Sequence, residues 1–134
     1  MKYYLVTGNP RFKSVFSNYL SQKKIIHTLI EKDDDIEKEI NSRGRKTVFL
    51  DHDFDQIRPL EIVRKVIENS SENIVLTFGS EKSAEETKSF FKAGVKDMFI
   101  EPFMPEELVE LAFKLKKEGE KKEERPADME KGEK

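Results

Sequence analysis

The sequence predicts an α/β domain in which five parallel strands form one sheet with helices on both faces. Short apolar segments alternate along the chain with segments whose apolar residues recur at helical spacing, and the connections are short. Two of the apolar segments, 48–50 and 74–76, contain no polar residue at all. Such runs are typical of strands that a parallel sheet buries on both faces. We therefore expect these two strands in the middle of the sheet.

The elements can be placed in order along the chain. Strands are predicted at 3–7, near 25–30, at 47–51, at 74–78 and at 98–100. Helices are predicted at 10–22, from Asp33 to just before Gly44, from Pro59, from about 83 to Ala93, and from Pro105. Proline at the first helical position and glycine after the last one support these bounds.

The apolar side chains of each helix should face the sheet. In the helix that begins at Pro59, this face holds Leu60, Ile62, Val63, Val66 and Ile67. Further along the chain, the pattern places Phe91 and Phe99 inward. The acidic run 33–35 is interpreted as a helix cap and solvated turn. A cation site is the alternative, although carboxylates adjacent in sequence rarely converge on one ion.

Composition excludes several classes of protein. Charged residues make up 39% of the 134 residues, yet the formal net charge is only −2, so no basic excess argues for binding nucleic acid. The absence of cysteine excludes disulfides and cysteine-ligated metals. No apolar run approaches the ~20 residues of a membrane helix, and the apolar start is too short for a signal peptide. We therefore expect a soluble cytoplasmic protein that does not bind membranes.

The last part of the chain differs from the rest. From Lys116 to Lys134 nearly every residue is charged, and only Ala127 and Met129 are apolar. Such a segment cannot bury enough surface to offset the entropy lost on ordering. We expect one domain over 1–117 and a charged, disordered tail or linker over 118–134, mobile from about residue 119 onward. A fraying extension of the last helix is an alternative.

The candidate site lies at the end of the third strand. Four apolar or β-branched residues, 47–50, run directly into Asp51, His52 and Asp53. Open α/β sheets place their sites just beyond the carboxyl ends of the strands. Asp51 should therefore lie at the mouth of the sheet.

With these features the chain resembles the response-regulator receiver domains of two-component signalling, the CheY-like family. The resemblance covers about residues 3–115 and is strongest over 47–103. The strand ending in Asp51, the helix from Pro59, Ala93-Gly94 and Glu101-Pro102-Phe103 fall at the family's usual spacings without a gap. The resemblance implies the flavodoxin-like strand order 2-1-3-4-5.

The resemblance also implies a chemistry for the site. The aspartate matched by Asp51 accepts a phosphoryl group in that family. A pair of acidic residues after the first strand holds Mg²⁺, a Ser or Thr hydroxyl follows the fourth strand, and a Lys precedes the proline after the fifth strand. Donor and attacking carboxylate are both anionic, so a metal and a cation must neutralise them in the transition state.

This sequence departs from that pattern at nearly every position. Thr7 and Gly8 replace the acidic pair, and Glu101 replaces the Lys with reversed charge. The hydroxyl position is Gly79 by ungapped spacing, although Thr77 or Ser80 could serve if the strand shifts. Met98 stands at the aromatic switch position.

These departures predict a degenerate pseudo-receiver. It would act as a protein-interaction module in signal transduction, without enzymatic activity, a bound metal or another cofactor, and without Mg²⁺-dependent phosphorylation. The alternative is a working receiver phosphorylated on Asp51 in a phosphorelay, which would require Mg²⁺. With Glu101 near Asp51 and no fixed cation, we expect repulsion and desolvation to raise the pKa of at least one carboxylate. A metal held by Asp51, Asp53 and Glu101 would be a new arrangement that the spacing does not require.

The partner surface is predicted from the aromatic and methionine residues near the fifth strand. Phe103 and Met104 follow Pro102 in a loop at the mouth of the sheet, where binding residues concentrate. We expect Met98, Phe103 and Met104 to border a contact surface for a signalling protein or for a homodimer.

Two other resemblances are weaker. His52-Asp53 is similar to the His-Asp pair of metal phosphohydrolases, but that site needs several more histidines and the chain offers only His27. The turn 7–10, Thr-Gly-Asn-Pro, is similar to the phosphate-binding turn of the nucleoside-triphosphate pyrophosphatases related to inosine triphosphatase. A helix-capping turn explains it better.

Overall fold

The structure, a computed structural model, describes residues 1–54 and 58–124. Within those ranges strands and helices alternate along the chain. The strands are β1 Lys2–Val6, β2 His27–Ile30, β3 Lys46–Asp51, β4 Ile74–Gly79 and β5 Asp97–Ile100. The helices are α1 Pro10–Gln22, α2 Asp33–Ile40, α3 Pro59–Asn69, α4 Ala84–Ala93 and α5 Pro105–Glu124. The predicted bounds are met to within one or two residues for most elements.

The strands form one parallel sheet in the order β2-β1-β3-β4-β5, as predicted. The two strands expected in the middle, β3 and β4, are buried over their whole length. Their register pairs Leu50 with Thr77 and Asp51 with Phe78. The carboxyl ends of β3 and β4 therefore meet at one edge.

Side chains alternate between two apolar cores, one on each face of the sheet. Tyr4 and Val6 of β1 join the core beneath α2, α3 and α4, whereas Leu5 joins the core beneath α1 and α5. The second core holds a cluster of rings from α1, β4 and the loop after β5: Phe12, Phe16, Phe78 and Phe103. These two cores fix the strands that carry the candidate site.

One predicted core residue is wrong. Phe91 is 43% exposed, whereas its neighbour Phe90 is 7% exposed and packs in the core beneath α4. Adjacent residues on a helix point about 100° apart, so only one of two consecutive aromatics can face the sheet. Phe99, also predicted to face inward, packs partly buried against the core beneath α1 and α5.

Local capping explains where the helices around the site begin. The side-chain oxygen of Asn9 accepts hydrogen bonds from the backbone N–H of Arg11 (2.9 Å) and Phe12 (3.3 Å) at the start of α1. The turn 7–10 thus caps a helix, as its composition favours. Ser83 and Glu86 form a capping box at the start of α4. α2 begins at Asp33 itself, so the acidic run lies within its first turn.

The last helix is longer than expected. α5 runs to Glu124 and so includes part of the segment predicted to be a tail, while 125–134 lie outside the described residues. Helix extension was one of the alternatives for this segment, and mobility of the tail stays a prediction. None of the described helices has the length and apolar character needed to cross a membrane.

A buried lysine joins several segments at the amino ends of the strands. Lys46, the first residue of β3, is 0% exposed. Its ammonium donates to the backbone carbonyls of Ser42 (2.6 Å) and Gly44 (3.0 Å) and to the side-chain oxygen of Asn69 (3.0 Å). Burial, with a smaller contribution from Lys2, lowers the pKa of Lys46. The three acceptors are what makes burying this charge tolerable.

We predict that Lys46→Met destabilises the domain by about 1–3 kcal/mol, because it leaves these acceptors without their donor. Chemical denaturation measures the change. Lys2→Met is the matched control, since Lys2 is exposed at the same end of the sheet and should change stability by less than about 0.5 kcal/mol. Equal effects of the two substitutions would contradict the structural role of Lys46.

Candidate functional site

The site forms where the carboxyl ends of β1, β3 and β4 lie side by side. Thr7 directly follows β1, Asp51 ends β3, and Gly79 ends β4. Thr7 and Asp51 are almost completely buried, at 0% and 3% exposure. The parallel register therefore brings together residues that lie more than forty positions apart in sequence.

Asp51 is held by hydrogen bonds rather than by a cation. The hydroxyl of Thr7 donates to Oδ2 of Asp51 at 2.7 Å, and the backbone N–H of Asp53 donates to Oδ1 at 2.9 Å. Burial raises the pKa of Asp51 despite these two bonds. The charge of Asp53 adds to the shift, and that of Glu101 is not among its causes. The expected increase in pKa is thus present, with desolvation as its main cause.

Asp53 is paired with the loop between β4 and α4. Its carboxylate accepts hydrogen bonds from the backbone N–H of Ser80 (2.6 Å) and from the Ser80 hydroxyl (2.9 Å), and Lys82 Nζ lies 2.8 Å from Oδ1. Burial alone would raise the pKa of Asp53, but Lys82 and Ser80 together hold it below its usual range. Asp53 therefore stays ionised and fixes this loop against the end of β3.

His52 forms a second connection to the same loop. The Ser80 carbonyl can only accept, so His52 Nε2 donates to it at 2.8 Å. In the neutral ring, Nδ1 then accepts from the Thr77 hydroxyl at 3.1 Å. Burial lowers the pKa of His52, which favours the neutral form. Both ring nitrogens are occupied, and His27 pairs with Ser17 Oγ near β2, so the two histidines do not form a phosphohydrolase-type metal site.

Two glycines leave no room for the side chains that their positions carry in working receivers. A Cβ atom at Gly8 would lie 2.6 Å from Cε1 of Phe54, a residue that is 7% exposed. A Cβ atom at Gly79 would lie 2.7 Å from Asp53 Oδ2 and 2.8 Å from His52 Nε2, and Gly79 has φ +145°. Neither an acid at position 8 nor a hydroxyl at position 79 fits without rearrangement of these neighbours.

Glu101, the charge-reversed residue, has its own cation. Arg11 at the start of α1 lies 2.5 Å from the Glu101 carboxylate. Both residues line a cavity of about 440 Å³ that opens beside Asp51. The lining residues come from the loops after three strands and from the start of α1: Gly8, Asn9, Arg11, Phe12, Asp51, Asp53, Phe54 and Glu101.

The residues present do not fit the Mg²⁺ that the receiver fold implies. Thr7 is committed to Asp51, Gly8 has no side chain, and the carboxylates of Asp53 and Glu101 are each paired with a cation. Over residues 1–54 and 58–124, no three His, Asp or Glu side chains are grouped as metal ligands. We therefore derive no step through a metal.

The predicted interaction residues do not share one face. Met98 packs partly buried against the core beneath α2, α3 and α4, while Phe103 packs against the opposite core with ring contacts to Phe12 and Phe78. Met104 is 61% exposed. Of the three, Met104 is the most exposed to solvent.

Sequence reasoning missed three residues that define the site and the role of a fourth. Arg11 and Lys82 supply the cations, and Phe54 fills the space beside Gly8. His52, considered from the sequence only as part of a metal pair, anchors the loop. The reversed charge at Glu101 was a signal that a compensating cation should be sought nearby. The other three residues depend on loop conformation, for which the sequence carries no periodic pattern.

Comparison with solved structures identifies the architecture. A CheY-like response regulator receiver domain protein from Methanospirillum hungatei JF-1 superposes with a TM-score of 0.78 at 13% identity, covering 90% of this chain and 97% of that chain. The beryllofluoride-activated NtrC4 receiver domain dimer gives a TM-score of 0.74 at 19% identity, covering 88% and 98%. The chain has the receiver fold.

A similar fold occurs within a longer chain. NtrX from Brucella abortus gives a TM-score of 0.77 at 19% identity over 92% of this chain, which spans 28% of the NtrX chain. No protein-family model matches the sequence, and no curated protein is significantly similar to it. At such identities the likeness establishes the fold, and function has to be argued from the site.

Removing the charge of Asp51 and removing the charge of Asp53 should change the stability of the domain in opposite directions. Folding raises the pKa of Asp51 above the ordinary 3.8, so its ionised form weakens the fold at neutral pH. We predict that Asp51→Asn increases the stability at pH 7 by on the order of 1 kcal/mol. The gain should shrink as the pH falls through the folded pKa, because Asp51 of the wild type then becomes neutral.

Asp53→Asn is the matched control. Folding lowers the pKa of Asp53, so its ionised form stabilises the fold above its ordinary pKa of 3.8. Loss of its pairing with Lys82 should cost roughly 0.5–1 kcal/mol at pH 7, and the cost should fade in acid. Thermal unfolding between pH 3 and pH 8 measures both effects, and shifts of the same sign would contradict the assignment.

Proposed function

We propose that this chain is a receiver-like module of two-component signalling that binds a protein partner without Mg²⁺-dependent phosphorylation. On this proposal Asp51 is a vestigial phospho-acceptor position, and the domain works as an interaction module rather than an enzyme. The receiver fold supports the signalling context, and the composition of the site supports the loss of phosphotransfer.

One observation carries the proposal: each of the three described carboxylates that line the site cavity already has a protein partner. Asp51 accepts from Thr7, Asp53 is bound by Lys82 and Ser80, and Glu101 is bound by Arg11. Phosphoryl transfer needs cations that converge on the attacking carboxylate and on the phosphoryl oxygens. Here the two cations of the site neutralise neighbouring acids and leave Asp51 with neutral donors.

The position of the loop after β4 supports the same conclusion. His52 and Asp53 together make three hydrogen bonds to Ser80, and Lys82 adds an ion pair to Asp53. These contacts fix the loop to the end of β3 through protein groups. A module that presents a fixed surface does not depend on a covalent modification to form it.

A working receiver phosphorylated on Asp51 is the second candidate. It is favoured by the place of Asp51 at the carboxyl end of β3, where it lines an open cavity of about 440 Å³. It would require Mg²⁺ and a small phosphodonor or a phosphorelay partner.

Intact-mass analysis separates the two candidates. We predict that incubation with acetyl phosphate or phosphoramidate and Mg²⁺ leaves the mass of the protein unchanged, because among the described residues no cation pairs with Asp51. A phosphorylatable receiver treated in parallel shows that the reagents are active. A gain of one phosphoryl group that is absent from Asp51→Asn would refute the proposal and establish the second candidate.

Partner binding is tested at Met104, which is 61% exposed in the loop before α5. We predict that Met104→Ser weakens capture of the signalling partner without lowering the thermal midpoint, because the side chain is mostly outside the core and a serine directly before α5 can cap that helix with Glu107. Ile26→Ser is the control for removing an exposed apolar side chain elsewhere, because Ile26 is 92% exposed and lies before β2, at the opposite end of the sheet. Capture reduced equally by both variants would remove Met104 from the contact surface.

A further inference from the structure

One edge of the sheet is open to another strand. β2 lies at the end of the strand order and pairs with β1 on one side. The Thr7 N–H donates to the Ile30 carbonyl at 3.2 Å, so the backbone of Ile30 faces β1. Alternate residues of a strand direct their backbone groups to opposite sides. His27 and Leu29 therefore direct their N–H and C=O groups to the open edge.

Apolar side chains are exposed along this edge. Ile26, immediately before β2, is 92% exposed, the highest value for a large apolar residue in the described part of the chain. Leu29 is 38% exposed. The strand itself, His27–Ile30, contains no proline, glycine, lysine or acidic residue, which are the features that usually keep an edge strand from pairing.

When two copies of the strand pair antiparallel, the basic residues before the strand in one copy lie at the same end as the acidic residues after the strand in the other. Lys23 and Lys24 precede the strand, and Glu31 and the acidic run 33–35 follow it. In the register centred on Leu29, His27 of one copy lies opposite Glu31 of the second copy. The same pairing brings Lys23-Lys24 of each copy, at the end of α1, to the end of the joined sheet where Glu31 of the other copy lies on the α1 face.

We propose that β2 pairs antiparallel with β2 of a second copy of this chain, in the register centred on Leu29. The outward N–H and C=O groups of one Leu29 form hydrogen bonds with those of the other Leu29. The exposed side chains of the two Leu29 residues lie together across the two-fold axis. The interface is isologous, so each basic end meets an acidic end and the contact closes at two copies. The pairing joins two sheets into one and does not depend on the state of Asp51.

The association should be weak. Strands of four residues bury less than the roughly 1,200 Å² of a standard stable interface. Glu31 also forms an ion pair with Lys13 of its own chain, which reduces its contribution. The dimer should therefore form in the high micromolar to millimolar range of Kd, on the order of 0.1–1 mM.

Sedimentation equilibrium of the 134-residue chain up to on the order of 1 mM tests this. We expect a reversible dimer in the wild type. Leu29→Glu should weaken dimerisation at least about tenfold, because it places two negative charges opposite each other at the two-fold axis. Val15→Glu is the control, because Val15 is 44% exposed but lies on α1. Circular dichroism checks that every variant folds.

Charge exchange tests the register. The variant Lys23→Glu/Lys24→Glu and the variant Glu31→Lys should each remain monomeric, because like charges meet at both ends. An equimolar mixture should form a heterodimer, because opposite charges are restored at both ends. A wild type that is monomeric throughout, a dimer that survives Leu29→Glu, or a dimer that Met104→Ser abolishes would each overturn the proposal.

Discussion

The central constraint of this structure is a carboxylate that the sheet buries with no cation in contact among the described residues. Because β3 is buried over its full length, Asp51 at its carboxyl end is buried as well. The hydroxyl of Thr7 and the N–H of Asp53 then have to stabilise it. Cations are present nearby, but each is paired with another carboxylate. The loops around the site are arranged to satisfy Asp51 and its acidic neighbours.

The same logic applies at the opposite end of β3. A buried lysine begins the strand and a buried aspartate ends it, with wholly buried residues between them. At each end, loops supply the hydrogen bonds that the buried charge needs: carbonyl oxygens around Lys46, and donors around Asp51. The central strand therefore fixes the loops at both edges of the sheet, because moving either loop would leave a buried charge unsatisfied.

The fold was predictable because it depends on patterns that are local in sequence. The apolar runs placed β3 and β4, and Pro59 and Pro105 marked the first residues of two helices. Phe91 was wrongly placed in the core because it and the adjacent Phe90 both fit the apolar stripe of the helix. The ion pairs of the site could not be predicted, since 39% of residues are charged and pairing depends on loop conformation. What the sequence did show is that Thr7, Gly8 and Glu101 stand where the resemblance expects two acids and a lysine.

The close packing of Phe54 beside Gly8 restricts which side chains position 8 can accept. An acidic side chain at position 8 would collide with a buried ring, so that single substitution should cost stability without creating a metal site. A smaller residue at position 54 would leave a cavity and supply no ligand. Either change alone is unfavourable, and only both together open the position. The packing thus couples the two positions, because a chain with glycine at position 8 cannot gain an acidic residue there by one favourable substitution.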